Sequence, residues 1–222
     1  KNSTQDIGVA FDGSLQFNNA ITTDYSNPNV ANVGIWEVYS NPSIRLGFEP
    51  GTCEKSLLNG LPIVTCTYDE FDGLRYVQTV FGASLDQSPT QTVYAYSRMT
   101  VTNPGTASKT ISLRFRKNTT ATAATWNLTI PAGGSQSVYI KVPFTFSAIT
   151  GITASEYDFN YTYVRDYWMN LTSQGMTLNI PEQRVNDAYR AWRSYAFLNA
   201  DGENLFDGSG FYDMEYGYSA QH

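Results

Sequence analysis

The residues best suited to chemistry stand together in the stretch FYDMEYGYSAQH at 211–222. Asp213 and Glu215 form a carboxylate pair beside Tyr212 and Tyr216, and carboxyl groups often act as general acids and bases. On a strand the two carboxylates would share a face, whereas on a helix they would not. Nothing in the sequence positions a substrate between them, so a polar loop or the start of a helix is the preferred interpretation. The four residues are therefore candidates only for the rim of a substrate site.

The two cysteines, Cys53 and Cys66, are separated by 12 residues. That spacing suits a disulfide across a loop or hairpin in an oxidising compartment, and the alternative is a pair of buried free thiols. We predict the disulfide, because the even number of cysteines fits it. Two cysteines and the single histidine, His222, leave no zinc site.

Other chemical signatures are weak or missing from the sequence. The acidic stretch YDEFDG at 68–73 is expected to be a hairpin tip rather than a cation site, and Asp201, Glu203 and Asp207 lack the spacing of a calcium loop. No nucleophile elbow, phosphate-binding loop or dinucleotide-binding motif occurs. We therefore predict no metal, no cofactor and no catalytic residue in this chain.

Composition argues against two classes of partner. The 222 residues carry a formal net charge of -6 without any run of lysine or arginine, which disfavours nucleic acid and anionic membranes. No stretch of 18 apolar residues occurs, so no membrane span is predicted. The low charged fraction of 15% and the aromatic fraction of 14% favour an all-β fold with neutral polar faces.

Sequons for N-glycosylation point to export. Each N-x-[ST] motif alone arises readily by chance, but together with the cysteine pair the motifs favour an extracellular, secreted protein. The sequon asparagines are Asn2, Asn118, Asn127, Asn160 and Asn170.

Alternating side chains from about residue 7 to residue 150 predict antiparallel strands. In TISLRFRK, Ile111, Leu113 and Phe115 alternate with polar residues, which is the period of a half-buried strand. In TWNLTI, Asn127 faces away from the apolar side chains and so towards solvent. About ten short strands with frequent turns predict a sandwich of two antiparallel sheets. Further strands are expected near 7–11, 33–38, 44–48, 62–68, 74–81, 93–101 and 137–142.

After residue 150 the apolar period becomes helical. Val164, Tyr167, Trp168 and Leu171 share one face of a predicted helix, and Gly175 stands where a C-terminal cap would lie.

A second helix is predicted to start at Pro181 and Glu182. Its large apolar residues need a partner surface. The sandwich could supply part of that surface, but a second helical layer fits better. Packing is a better interpretation of this stripe than a sugar platform. The stripe consists of Val185, Ala188, Tyr189, Trp192 and either Tyr195 or Ala196.

The last sixty residues resemble the junction in glycoside hydrolases at which an N-terminal β-sandwich leads into an (α/α)6 barrel. Members of the glucoamylase and rhamnosidase-like groups carry a link G-x-x-[IVL]-x-[VI]-P-E before the first barrel helix, and Gly175–Glu182 match it. A Y-x-x-x-Y-G stretch precedes the second helix, and Tyr212–Gly217 match that. The resemblance covers about a quarter of the chain.

The resemblance implies a β-sandwich domain over 1–160, followed over 161–222 by a helical linker and the first helix of a barrel that continues past His222. The activity implied is hydrolysis of glycosidic bonds by two carboxyl groups that the barrel supplies. The sandwich would brace that barrel. The implied partners are carbohydrate and either the remainder of the enzyme or a second chain that covers the helices.

Two other functions fit the same sequence. The chain could be a carbohydrate-binding module, since Tyr94, Tyr96 and Tyr139 face away from the predicted core, although cross-strand pairing or burial under the helices would also explain them. It could instead be a structural subunit of an extracellular filament or surface layer, assembled by strand exchange.

Overall fold

The computed structural model describes residues 5, 7–10, 12–17, 33–39, 43–47, 53–84, 91–117 and 123–198, and the backbone at 200–201 and 204–205. These residues form two six-stranded antiparallel sheets, a short hairpin and two helices. The strands are β1 (Ile7–Val9), β2 (Leu15–Phe17), β3 (Val33–Val38), β4 (Ile44–Arg45), β5 (Cys53–Leu58), β6 (Leu61–Phe71), β7 (Leu74–Ser84), β8 (Val93–Thr102), β9 (Lys109–Lys117), β10 (Ala123–Ile130), β11 (Ser135–Pro143), β12 (Thr150–Gly151), β13 (Ala200–Asp201) and β14 (Asn204–Leu205). The helices are α1 (Ala154–Ser173) and α2 (Gln183–Leu198).

The two large sheets form the predicted sandwich. Sheet A has the order β1-β2-β3-β9-β10, with β4 paired to β3, and sheet B has the order β12-β11-β8-β7-β6-β5. The period of two in β9 is confirmed, because Ile111, Leu113 and Phe115 belong to the core cluster that residues of both sheets form. Apolar burial of this kind is the main force that holds two sheets together.

Two tight turns set the register in sheet B. Asp72 and Gly73 connect β6 to β7 with φ values of 52° and 62°, as the Asp-Gly pair predicts for a hairpin turn of this hand. Asn59 and Gly60 connect β5 to β6 in the same way, with φ values of 52° and 79°. The sequence analysis did not predict β5, although Asn-Gly is a strong hairpin signal.

A second core cluster lies on the other face of sheet B. Phe81 and Tyr96 contribute to it from β7 and β8, and Tyr157, Val164 and Trp168 contribute from α1. The molecule therefore has three layers, in which sheet B lies between sheet A and the helices. Sheet B is apolar on both faces for this reason, whereas a sheet with one wet face alternates cleanly.

Helix α1 begins earlier than the proposed domain boundary at 160/161. Its N-cap is Thr153, whose side chain accepts a hydrogen bond of 3.1 Å from the Glu156 N–H, and the first buried side chain is Tyr157. This T-x-x-E pattern is the sequence signature of a helix start, and the sequence analysis missed it. The boundary between strand and helix thus lies near residue 153. The predicted end is confirmed, since Gly175 follows the C-cap with a φ of 90°.

Candidate functional site

Helix α2 turns its polar side towards the sandwich. Its two fully buried side chains are Asn186 and Ser194, whereas Val185, Trp192 and Tyr195 are 43%, 57% and 51% exposed. Because successive residues turn by about 100° around a helix, these two sets lie on opposite sides. We call Val185, Ala188, Tyr189, Trp192 and Tyr195 the α2 stripe. The predicted stripe exists, but within the described residues the sandwich does not cover it.

Three side chains of α2 hold the link that precedes the helix. The Asn186 side chain donates to the Ile180 carbonyl at 2.8 Å and accepts from the Ile180 N–H at 3.0 Å. The Tyr189 hydroxyl donates to the Met176 carbonyl, and Arg193 donates to the Gln174 carbonyl. These side chains satisfy backbone groups that an extended link would otherwise leave without partners.

Sequence reasoning missed the roles of Asn186 and Arg193, because it followed only the apolar spacing of the helix. A sequence signal for these roles exists, because the two residues are seven positions apart and therefore lie on one face of the helix. That face is the one that bonds the link. Together with the packing of Phe197 against the second core cluster, their contacts fix which side of α2 points inward. The apolar side is left to point outward.

The hairpin turn at Gly60 packs directly on the backbone of α2. A Cβ atom added to Gly60 would lie 2.7 Å from Arg190 Cβ and 2.9 Å from the Ala191 nitrogen. Gly60 also has a φ of 79°, a conformation that disfavours any side chain. The turn therefore fixes where α2 sits on the molecule.

We expect Gly60→Ala to lower the free energy of unfolding by about 1–2 kcal/mol for backbone strain and by a further amount for the clash with α2. The matched control is Gly73→Ala. Gly73 has a φ of 62°, and its added Cβ would lie 2.8 Å from the end of the Lys109 side chain and no closer than 3.9 Å to any other side chain. Urea denaturation measures both losses, and hydrogen exchange reports whether α2 opens. Equal losses in the two variants, with α2 equally protected, would contradict the close packing.

Helix α1 also presents aromatic side chains outward. Phe159 is 69% exposed and Tyr167 is 38% exposed. Tyr163 lies between them in sequence and is partly buried against the second core cluster, with its ring centroid 6.4 Å from that of Tyr167. Scattered apolar residues are normal on a protein surface, but aromatic rows on neighbouring helices indicate an interaction surface. The outer side of the helical layer is therefore the best candidate for a functional site among the described residues.

The three tyrosines considered for sugar binding lie under α1. Tyr96 is fully buried and stacks on Phe81 with ring centroids 5.3 Å apart, and Tyr94 and Tyr139 pack against the same cluster. Tyr139 also contacts Tyr157, with ring centroids 5.3 Å apart. Burial under the helices therefore explains these side chains, and they form no open platform for a sugar ring.

The opposite side of the sandwich carries a buried carboxylate. Glu37 on β3 is 2% exposed and pairs with Arg114 and Arg116 on β9, the latter at 2.9 Å from Nε to Oε2. Arg114 also lies over the Tyr39 ring at 4.2 Å from its centroid. Two arginines neutralise the buried negative charge of Glu37, so the ion pairs connect the neighbouring strands β3 and β9 and have a structural role.

The two cysteine side chains meet between neighbouring strands. Cys53 lies opposite Tyr68 and Cys66 lies opposite Lys55, and both cysteines are free thiols, each of which affects the pKa of the other. Such diagonal neighbours have Cα atoms about 7–8 Å apart, slightly beyond the usual span of a disulfide. A bond would therefore require the strands to approach, and the predicted disulfide stays a prediction.

Burial raises the pKa of the Cys66 thiol from 9.0 to about 12 and also raises that of Cys53. Because the thiolate is the nucleophile, we expect the reduced native protein to resist alkylation at about pH 8 at Cys66. The stabilising effect of the neutral thiol is complete below pH 9.0 and is lost as the pH rises towards 12.

Mass spectrometry after iodoacetamide treatment tests both statements. Two alkylated cysteines in urea without reductant would disprove the disulfide, and rapid labelling of Cys66 in the native protein would disprove its burial.

The other predicted site residues fall into two groups. Asn127 is exposed on β10, where it accepts a hydrogen bond of 2.6 Å from Ser112, Asn170 is exposed on α1, and Asn160 is half-buried on α1. The remaining candidates lie outside the described residues. These are Asn2, Asn118, Tyr212, Asp213, Glu215 and Tyr216.

Within the described part of the chain, no group of three or more His, Cys, Asp or Glu residues could hold a metal ion. The hairpin interpretation of residues 68–73 is confirmed by their position at the turn between β6 and β7. Neither described helix is long and apolar enough to cross a membrane.

Comparison with models of known families, with curated protein sequences and with solved structures found no match.

Proposed function

We propose that this chain is the non-catalytic β-sandwich portion of a secreted glycoside hydrolase and that it braces a helical catalytic unit. The observation that carries the proposal is the outward α2 stripe. Trp192 in this stripe is 57% exposed, and an exposed aromatic stripe on a helix favours contact with another apolar surface. A helical layer of a catalytic unit has that chemistry, and the motif at Gly175–Glu182 resembles the link of such a junction.

The way in which α2 is attached also supports a bracing role. Asn186 and Arg193 tie the helix to its link, and Gly60 seats it on the β5–β6 turn. A domain that braces a catalytic unit must hold a fixed position, because misplacement of a catalytic group by about 1 Å greatly lowers the reaction rate. These contacts hold α2 in a fixed position and leave Trp192 of the stripe exposed, although the stripe member Tyr189 also bonds the link.

Isolation of the protein from the medium of the producing organism is the decisive test. We expect an antibody against this chain to capture a species that hydrolyses at least one aryl glycoside, and we expect the purified 222-residue chain alone to be inactive on the same substrates. Activity of the short chain alone would contradict its non-catalytic role. A native species of 24.7 kDa without hydrolase activity, or one that forms regular fibres, would overturn the proposal.

Secretion makes a separate prediction about glycans. Asn127 projects from the exposed face of β10, so we expect it to carry an N-glycan in the native protein. Enzymatic deglycosylation should lower the mass, and Asn127→Gln should remove one glycan with little effect on stability. Asn179, which is exposed and does not belong to a sequon, offers a matched Asn→Gln control. Absence of any mass change on deglycosylation would contradict secretion through a glycosylating pathway.

A further inference from the structure

The outer face of sheet B, on which α1 packs, is apolar under the helix and becomes polar beyond it. Phe81 of β7 and Tyr96 of β8 lie under α1. Because side chains alternate along a strand, every second residue from these positions lies on the same face. Pairing of β8 with β7 and β11 keeps such residues side by side across the sheet. We call the polar part of this face the hydroxyl face, and it includes Thr79, Arg98, Thr100, Thr102, Ser135 and Ser137.

The hydroxyl groups of this face form pairs that reach solvent. Thr100 Oγ1 lies 2.9 Å from Ser137 Oγ, and Thr102 Oγ1 lies 2.8 Å from Ser135 Oγ. Ser135 is exposed, and the other three side chains are half-buried. A hydroxyl has one donor and two acceptor sites, so each pair keeps one free O–H group and free lone pairs after its internal hydrogen bond has formed. The face can therefore both donate to and accept from a ligand that carries hydroxyl groups.

Arg98 is a half-buried cation on this face. Its Nη2 donates to Thr79 Oγ1 at 3.3 Å, its guanidinium carbon lies 5.5 Å from the centroid of the Tyr157 ring, and its buried Nε has no acceptor. Among the described residues no carboxylate forms an ion pair with Arg98. The other arginines on the described strands all have such a partner, and they are Arg45, Arg75, Arg114 and Arg116. The described part of the chain thus leaves the charge of Arg98 without a counter-ion.

The position of this charge selects the kind of ligand. A guanidinium group presents its N–H donors in a planar fork that matches a carboxylate. Thr100 lies two residues from Arg98 on the same strand, about 7 Å away, and Ser137 lies on the next strand about 5 Å from Thr100. A ligand that fits this arrangement carries a carboxylate at one end and hydroxyl groups at the other. A polyphosphate or nucleic acid would require several cations in a row.

We propose that the hydroxyl face binds a uronic acid, which is a sugar that carries a carboxylate. The carboxylate pairs with Arg98, and the ring hydroxyls exchange hydrogen bonds with Thr100 and Ser137. This inference goes beyond the proposed function, because it gives the sandwich a ligand of its own and does not depend on hydrolase activity.

Titration of the isotope-labelled 222-residue chain, followed by nuclear magnetic resonance, tests the selectivity of the site. We expect D-glucuronate to bind at least about tenfold more tightly than D-glucose, which lacks the carboxylate, and about threefold more tightly than acetate, which lacks the hydroxyls. The amide signals that shift should belong to β8 and β11. Equal binding of glucose or of acetate would overturn the assignment, as would the absence of glucuronate binding or shifts confined to other elements.

Arg98→Gln removes the charge and is expected to weaken glucuronate binding by about tenfold. Arg184→Gln is the matched control, because Arg184 is an exposed arginine of α2 that also has no ion-pair partner among the described residues. We expect the control to leave the affinity unchanged. An equal loss in both variants would indicate a general effect of charge and would contradict a site at Arg98.

Thr100→Val is a second variant that keeps the charge and the contact of Arg98 with Tyr157. Removal of the hydroxyl is expected to weaken glucuronate binding by about threefold and to leave acetate binding unchanged. Thr129→Val is its control, because Thr129 is an exposed residue of β10 whose hydroxyl lies 3.2 Å from that of Thr110 in a similar pair. The same affinity for glucuronate in both variants would show that the hydroxyl of Thr100 does not contact the sugar, and the proposal would be wrong.

These outcomes are separate from those of the proposed function. Binding is measured on the 222-residue chain, which is expected to be inactive, whereas hydrolase activity is measured on the native secreted species. A failure of glucuronate binding leaves the activity test unchanged, and an inactive native protein leaves the titration result unchanged.

Discussion

Replacement of Tyr157 with alanine is expected to lower the free energy of unfolding by about 4 kcal/mol, the usual cost of truncating a large buried aromatic side chain. Tyr157 is fully buried where α1 meets sheet B. Its ring contacts Phe81 at 5.2 Å and Tyr139 at 5.3 Å between ring centroids, and its hydroxyl donates to the Thr79 carbonyl at 3.1 Å. Loss of the ring leaves a cavity at the point that anchors the first turn of α1.

The measurement is urea denaturation combined with hydrogen exchange on α1. Tyr157→Phe is the control, because it keeps the ring and removes only a hydroxyl whose hydrogen bond contributes about 1 kcal/mol. We expect α1 to lose protection in the alanine variant and to keep it in the phenylalanine variant. Equal stability of the two variants would show that the hydrogen bond, rather than the packed ring, holds the helix.

Replacement of Glu37 with glutamine is expected to cost about 3 kcal/mol, because it removes the buried carboxylate that two partly buried arginines share. Glu37 accepts from Arg114 and Arg116, which are 22% and 27% exposed and so remain partly removed from water in the variant. The cluster joins β3 to β9 in the middle of sheet A. We therefore expect its loss to weaken the sheet as a whole.

Glu70→Gln is the matched control for Glu37→Gln. Glu70 pairs with Arg75 at 3.5 Å, but both side chains are exposed, so the change should cost less than about 1 kcal/mol. Urea denaturation of the two variants at moderate ionic strength measures the difference. If both substitutions cost the same, burial of Glu37 does not control the strength of its ion pairs.

The two sides of the molecule have different roles in the proposed function. On the sheet A side, Glu37 forms ion pairs with Arg114 and Arg116. The same sheet carries the exposed sequon residue Asn127. The helical side exposes Phe159 and Trp192 and contains no charged residue among the members of the α2 stripe. A glycan faces solvent and an apolar stripe faces a protein, so the proposal places the catalytic unit on the helical side.

Several elements could be predicted from the sequence because their signals are local. The alternation in β9 depends only on side chains two positions apart, and the turn at Asp72–Gly73 depends on two residues that tolerate positive φ. The end of α1 at Gly175 follows from the same conformational freedom. The start of α1 is also encoded locally, by the cap that Thr153 and Glu156 form, and apolar spacing alone does not contain that signal.

The sequence by itself determined the β-sandwich, the two helices and the existence of an apolar stripe on α2, because backbone preference and side-chain period act over a few residues. Only the tertiary structure decided which way the stripe points. Its direction depends on contacts between residues distant in the chain, such as Gly60 with Arg190, and on hydrogen bonds from Asn186 and Arg193 to the link. The same holds for Tyr96, whose outward position on β8 indicated a surface residue until α1 was found to cover it. Burial depends on what lies opposite a side chain, and no local pattern contains that information.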